Sequence, residues 1–183
     1  MNRKSEYTDV TKEWLNNVNL KHRVLIDRKY IDDNGVKHPM KGKEKAHVTD
    51  KNSIEYKRSI WVAKTFGGVI HNVPRITDIT NTGISTHTPD YIWNNEKWEL
   101  KIPVPINKKN NIFESFAKKR RVKLQANNFI VDICNTKLSK KMAYNYVLNT
   151  MNRRIWIDKI IVIKSNQVLF IIQKTIKGID TIS

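Results

Sequence analysis

Two carboxylates and an ammonium group lie close together in the stretch Thr88-Pro-Asp-Tyr-Ile-Trp-Asn-Asn-Glu-Lys-Trp-Glu-Leu-Lys101. The stretch reads as two short strands rich in aromatic and β-branched residues, joined at Asn94-Asn95. Asn tolerates positive φ, so a two-residue turn is expected there. With that turn, Trp93 faces Glu96, Ile92 faces Lys97, Tyr91 faces Trp98, and Asp90 faces Glu99. Side chains alternate along a strand, so Asp90, Glu99 and Lys101 share one face, while Tyr91, Trp98 and Leu100 share the apolar one. Like charges directly opposite destabilise a sheet by ~0.2–1 kcal/mol. A divalent cation removes that repulsion, because Mg²⁺ is commonly held by one or two carboxylates plus waters and substrate phosphate. A lysine beside such a pair orients an attacking water or offsets negative charge in a transition state. The alternative is an exposed hairpin whose two acids simply face solvent.

The flanking elements must hold that face in place. Asn52-Ser-Ile-Glu55 opens a helix, with Asn52 as N-cap and Glu55 three residues on. Ile54, Tyr56, Ile60, Trp61, Val62 and Ala63 are its expected apolar residues, and Gly67-Gly68 ends it. Val69–Val73 is a strand closed by Pro74, and residues 75–86 are a loop. After the hairpin, Pro103 and Pro105 forbid continued regular pairing. Asn111–Ala126 then reads as a helix. Asn128–Cys134 is a near-continuous apolar run, as in a buried strand, with Cys134 expected inside. Lys137–Met151 is a further helix, and Ile155–Ile163 with Val168–Ile172 a closing hairpin. The order α-β-β-β-α-β-α-β-β gives a mixed α/β layer architecture. Residues 1–50 are expected to be an N-terminal extension or small subdomain, and residues 51–183 the main domain. Within the first part, Val10–Leu20 suggests a short helix, and Arg23–Ile31 with Val36–His38 a hairpin around Asp32-Asp33-Asn34-Gly35.

Composition narrows the partners. The chain of 183 residues carries 34 Lys and Arg against 17 Asp and Glu, a net charge of +17. That excess favours a polyanion, of which nucleic acid is the commonest. Membrane-surface binding would need a long basic amphipathic helix, and none is visible. No stretch approaches the ~20 apolar residues of a membrane span. Residues 101–125 hold eight Lys and Arg against one acid. Lys118, Lys119, Arg120, Arg121 and Lys123 form the densest part, a candidate track for a nucleic-acid backbone; a solvated helix face is the alternative reading. Lys137, Lys140 and Lys141, with Arg153-Arg154, form a second patch whose Arg pair also suits a helix end. The single cysteine excludes an intramolecular disulfide and a cysteine zinc cluster. The five histidines show no metal-binding spacing. His87, three residues before Asp90, fits a solvated strand end. Met1–Ser5 leads into charged residues, so a secretory leader is not expected, and the expected site of action is an aqueous, reducing interior.

The ordered motifs resemble a known family. A helix bearing Glu, a strand, Pro-Asp, Glu-x-Lys on the next strand, and a helix with Gln is similar to the PD-(D/E)XK nuclease superfamily. The phrases GGVIHNVP, TPDYIW, WELKIP and LQANNFIVDI resemble the CdiA C-terminal tRNase toxin domain, relatives of which also occur in phage minor head proteins and polymorphic toxins. The resemblance covers roughly Glu55 to Lys174. It implies a PD-(D/E)XK, restriction-endonuclease-like mixed sheet flanked by helices. It implies Asp90 and Glu99 as ligands of Mg²⁺ or Mn²⁺, Lys101 as the catalytic lysine, and Glu55 and Gln125 as further site residues. Glu55 also fits the reciprocal half of a capping box, and Gln125 an exposed helical glutamine. The implied activity is phosphodiester hydrolysis, with tRNA the leading substrate. A DNA endonuclease of the same fold and a non-catalytic basic nucleic-acid-binding module are the alternatives. A toxin of this kind would act in the cytoplasm, arrive as part of a larger secreted or phage protein, and meet a cognate immunity protein.

Overall fold

Asn94 and Asn95 adopt φ of 50° and 64°, the left-handed pair that closes a type I′ hairpin. In the computed structural model, which describes residues 6–17, 21–39, 51–74, 88–103 and 126–175, this turn joins β6 (Tyr91–Trp93) to β7 (Glu96–Lys101). Tyr91 pairs with Trp98, Ile92 with Lys97 and Trp93 with Glu96, the register expected from the sequence. The chain order before the hairpin is β1 (Glu6–Asp9), α1 (Thr11–Asn16), β2 (His22–Ile26), β3 (Lys29–Ile31), β4 (Lys37–Pro39), α2 (Ile54–Phe66) and β5 (Gly68–Asn72). After it come β8 (Asn128–Asp132), α3 (Lys140–Arg153), β9 (Lys159–Lys164) and β10 (Gln167–Thr175).

Eight strands form one mixed sheet in the order β1-β10-β9-β8-β7-β6-β5-β2, and β3 and β4 form a separate hairpin. β7, β8 and β9 run parallel at its centre. Strand alternation divides the apolar residues between two cores. Tyr91, Trp98, Leu100 and Ile130 pack with Val62, Ala63 and Phe66 of α2. Phe129, Val131, Ile160 and Val162 pack with Val147 and Met151 of α3 on the opposite face. All five residues of β8 are buried, as its apolar run requires with a core on each side.

Both long helices begin at a serine. The Ser53 hydroxyl accepts from Tyr56 N at 3.1 Å, and the Ser139 hydroxyl from Met142 N at 3.3 Å. The N-cap of α2 is therefore Ser53 rather than Asn52. Serine caps about as well as asparagine, and its extended backbone, ψ 150°, aims the hydroxyl at the first amides. The one-residue shift leaves Glu55 at the second helical position, outside the capping-box arrangement. The buried residues of α2 are Ser59, Val62, Ala63 and Phe66, an i, i+3, i+4, i+7 stripe. Ile54, expected inward, is 55% exposed.

Three further expectations change. The segment expected as one long strand from Arg23 to Ile31 is two strands: β2 pairs in parallel with β5, and β3 alone makes the hairpin with β4. β1 carries no strand signal of its own and pairs with β10. The main sheet thus draws on both sides of residue 50, and β1 and β2 are its two edges. Cys134 is exposed, not buried. β8 ends at Asp132, Ile133 is the last inward residue, and the chain turns there with Thr136 N bonded to Ile133 O at 3.0 Å.

The hairpin tip is hooked to the start of β5. Asn94 N donates to Val69 O at 3.3 Å and Asn94 Oδ1 accepts from Val69 N at 3.4 Å. Gly68 has φ 84°, and a Cβ there would overlap the Asn94 side-chain amide. Gly68→Ala should therefore lower stability by about 1–2 kcal/mol from the left-handed backbone alone, plus the displacement of Asn94. Adding Asn94→Gly should recover the second part only. Urea unfolding of the three proteins checks both statements.

Candidate active site

Carried one step past Tyr91↔Trp98, the hairpin register sets Asp90 across from Glu99. The Asp90 carboxylate lies at the strand entrance, where Oδ2 accepts the Leu100 amide at 2.8 Å. On the other side, Val73 N donates to the Asp90 backbone carbonyl at 3.1 Å. Asp90 is thus fixed between β5 and β7 by both its side chain and its main chain. Glu99 pairs with Phe129 and Lys101 with Val131, so both project on the α3 side of the sheet.

The Glu99 side chain is 10% exposed, and Lys101 Nζ donates to its Oε1 at 2.6 Å. Its second oxygen, Oε2, is buried without a hydrogen-bond partner in the protein. A buried carboxylate oxygen left unsatisfied costs several times what a typical hydrogen bond contributes. An unpaired buried acceptor is suited to a cation or to a water bound to one. Among the described residues no three His, Cys, Asp or Glu side chains gather so as to hold a metal ion. Asp90 and Glu99 match instead the two-carboxylate, water-rich manner in which Mg²⁺ is commonly held.

Glu55 approaches from the α2 side. The buried Tyr91 hydroxyl donates to the Glu55 carbonyl at 2.8 Å. Burial, then the negative charges of Asp90, Glu55 and Glu99, push the Tyr91 phenol well above its ordinary range, with Arg58 opposing. The phenol therefore stays protonated and acts as a donor. Gln125, Lys118, Lys119, Arg120, Arg121, Lys123 and His87 lie outside the described residues. Lys137, Lys140 and Lys141 are exposed around the start of α3.

Two further charged residues near the rim, Asp132 of the LQANNFIVDI phrase and Arg58 of α2, have no role in the expected site. Asp132, at the end of β8, is 1% exposed and paired with Arg58 of α2. Arg58 also donates from Nη1 to Asn166 Oδ1 at 2.9 Å. A signal is present nonetheless: an acid inside the apolar run Phe129-Ile-Val-Asp-Ile must be paired if the run is buried. The partner is less visible, although Arg58 follows Glu55 by three residues and so shares its helix face.

Among the described residues no helix is long and apolar enough to cross a membrane. No curated protein matches this chain. Among solved structures, the chain is similar to a protein described as the CdiA-CT/CdiI toxin and immunity complex from Burkholderia pseudomallei, with 16% identity and a TM-score of 0.46. That likeness covers 82% of this chain and 98% of the other. Residues 86–168 match the family of the contact-dependent growth inhibition CdiA C-terminal domain, a span that includes Asp90, Glu99 and Lys101 and leaves Glu55 outside.

Proposed function

We propose that this chain is a toxin-type, metal-dependent nuclease that hydrolyses phosphodiester bonds, with tRNA as its leading substrate. One observation carries the reading: a nearly buried Glu99, one oxygen on Lys101 and the other without a partner, set across from Asp90. The match of residues 86–168 to the CdiA C-terminal domain supports the toxin class. The helix, strand, hairpin and later strand around these residues also suit a PD-(D/E)XK arrangement, in which residues 51–183 would form the nuclease unit.

Asp90 and Glu99 would hold Mg²⁺ or Mn²⁺. Such an ion polarises a phosphoryl oxygen and makes a bound water more acidic. The protein's own residues supply the rest. Leu100 N–H fixes the Asp90 carboxylate, so that group need not reorganise when substrate arrives. Lys101, held beside Glu99, is placed to orient an attacking water and to offset charge growing on the phosphoryl oxygens. Glu55 would supply a further carboxylate from the start of α2, where Tyr91 holds its main-chain carbonyl. Gln125 would contact substrate or a bound water. Lys118, Lys119, Arg120, Arg121 and Lys123 would carry the phosphate backbone, and the net charge of +17 suits that partner. An acidic immunity protein would cover the same basic surface, and the domain would act in the cytoplasm after delivery by a larger protein.

Cleavage of purified tRNA and of duplex DNA, with Mg²⁺ and with EDTA, tests the activity and separates the two substrates. Glu99→Gln and Lys101→Ala should each lower the cleavage rate by about 10²–10³-fold while leaving the protein folded. Cutting that persists in EDTA, or in both variants, would remove the assignment. Binding without cleavage under any divalent metal would favour a non-catalytic basic module. Exchange of Lys118, Lys119, Arg120 and Arg121 for Gln should flatten the dependence of log K on log salt, measured by filter binding. The slope should change by about 0.7–0.9 for each phosphate that is no longer neutralised.

A further inference from the structure

The β3–β4 hairpin stands apart from the eight-stranded sheet and packs on it through Tyr30. Tyr30 is 5% exposed and lies against Val73 and Ile92. Ile92 alternates with Tyr91 and Trp93, which enter the α2 core, so it faces the other way. Lys97, its partner across the turn, shares that face, and so do Glu99 and Lys101. Asp33, in the turn between β3 and β4, pairs with Lys97. At the base of the hairpin the Asp27 carboxylate meets His71 Nδ1 at 3.0 Å, and His71 pairs with Ile92 in the sheet. The hairpin is thus fastened to β5, β6 and β7 at once. The Ile92–Lys97 pair is two steps from Asp90 and Glu99 on the same face, about 7 Å along each strand. Val73, also under Tyr30, donates its amide to the Asp90 carbonyl at 3.1 Å. The hairpin therefore stands directly beside the two acids.

We propose that this hairpin is one wall of the substrate cleft, and that Lys29 and Lys37 on it hold the phosphate backbone of the nucleic acid next to the bond that is cut. The proposal rests on the nuclease reading above. Both lysines are exposed, as is Arg28 just before β3. Ile31 pairs with Lys37, and side chains alternate along β3, so Lys29, Ile31 and Lys37 share the hairpin face turned away from Tyr30. The acids of the turn are engaged by the protein. Asp32 Oδ1 accepts Asn34 N at 2.8 Å and Val36 N at 3.0 Å, and Asp33 is held by Lys97. That leaves the outer face cationic, and a phosphate backbone supplies the opposite charge. Packing alone calls for Tyr30 and Asp33 and sets no requirement for lysines on the outer side. A strand with its scissile phosphate at Asp90 and Glu99 must carry its neighbouring phosphates over the surface beside them, and toward β5 that surface is this hairpin.

The test uses the full chain and purified tRNA. Filter binding in EDTA over a salt series reads the contact without cleavage. The double change Lys29→Gln with Lys37→Gln alters exposed side chains only, so the variant should melt close to the wild type. It should weaken binding and flatten the slope of log K against log salt by about 1.4–1.8, the share of two phosphates. The control is Lys12→Gln with Lys64→Gln, which removes the same charge from exposed positions on α1 and α2, across the sheet from the hairpin. Its slope should stay near that of the wild type. In cleavage with Mg²⁺ the hairpin pair should raise KM and leave kcat near the wild-type value, because contacts away from the reacting atoms act equally in ground and transition states. A slope equal to the control's, or a lower kcat with KM unchanged, would overturn the proposal while the nuclease reading stands. A wild type that binds tRNA but cuts neither tRNA nor DNA would remove the nuclease reading, and the slopes would still decide the contact. A wild type with no salt-sensitive binding would overturn both.

Discussion

The left-handed angles of Asn94 and Asn95 fix a register, and the register decides which side of the sheet receives charge. Side chains alternate with a period of two, so a slip of one residue would carry Glu99 and Lys101 into the α2 core and turn Trp98 and Leu100 outward. Both directions of that slip are strongly unfavourable. Trp98 is 1% exposed and packs against Trp93, with ring centroids 5.0 Å apart. Trp14 of α1 closes the same cluster at 5.7 Å from Trp93. The aromatic packing on one face thus enforces the placement of the acids on the other. Asn94, through its bonds to Val69, locks the tip to the next strand.

Charge concentrates at one end of the sheet. β7, β8 and β9 are parallel, and their C-terminal ends carry Lys101, Asp132 and Lys164. In open α/β sheets this end is where ligands are usually held, because the loops and helix starts that follow are free of the ladder. Here α2 begins at the same end, as the bonds of Glu55 and Arg58 require. Lys164 Nζ donates to Leu138 O at 3.2 Å, which brings the segment leading into α3 there as well. A cluster of this kind, holding both signs of charge at low exposure, is destabilising in isolation.

Local features are legible in the sequence and distant ones are not. The hairpin turn, the buried character of β8, the span of α2 up to its closing glycines and the last hairpin all follow from short-range signals: turn residues, period and caps. Ser165 and Asn166, with φ of 50° and 59°, repeat the left-handed pair of the first hairpin, a tighter turn than Ser165-Asn166-Gln167 suggests by composition. Asp90, Glu99 and Lys101 are legible for the same reason, since two strands and one tight turn are enough to place them. Glu55 is ambiguous because a helix start offers an acidic side chain two uses, and only the cap at Ser53 separates them. Arg58 and Asp132 are opaque because 74 residues separate partners that meet only when α2 packs across β8.

The edges of the sheet follow the same logic. β2 lies beside β5 in parallel, and β1 beside β10, pairings that join residues far apart in the chain. β1 does not alternate strongly enough to announce itself, and the strand expected over Arg23–Ile31 does not reveal its partner, because an edge strand has one neighbour and need not bury both faces. Thr11 Oγ1 accepts Ile171 N at 2.8 Å, and Tyr7 donates its hydroxyl to Met151 O at 2.9 Å. These bonds fasten the first part of the chain to the last. The aromatic cluster that enforces the hairpin register includes Trp14, so residues before position 50 help determine which face the acids occupy. A cut at that boundary would remove an edge strand on each side together with one wall of the packing that holds Asp90 and Glu99 in line.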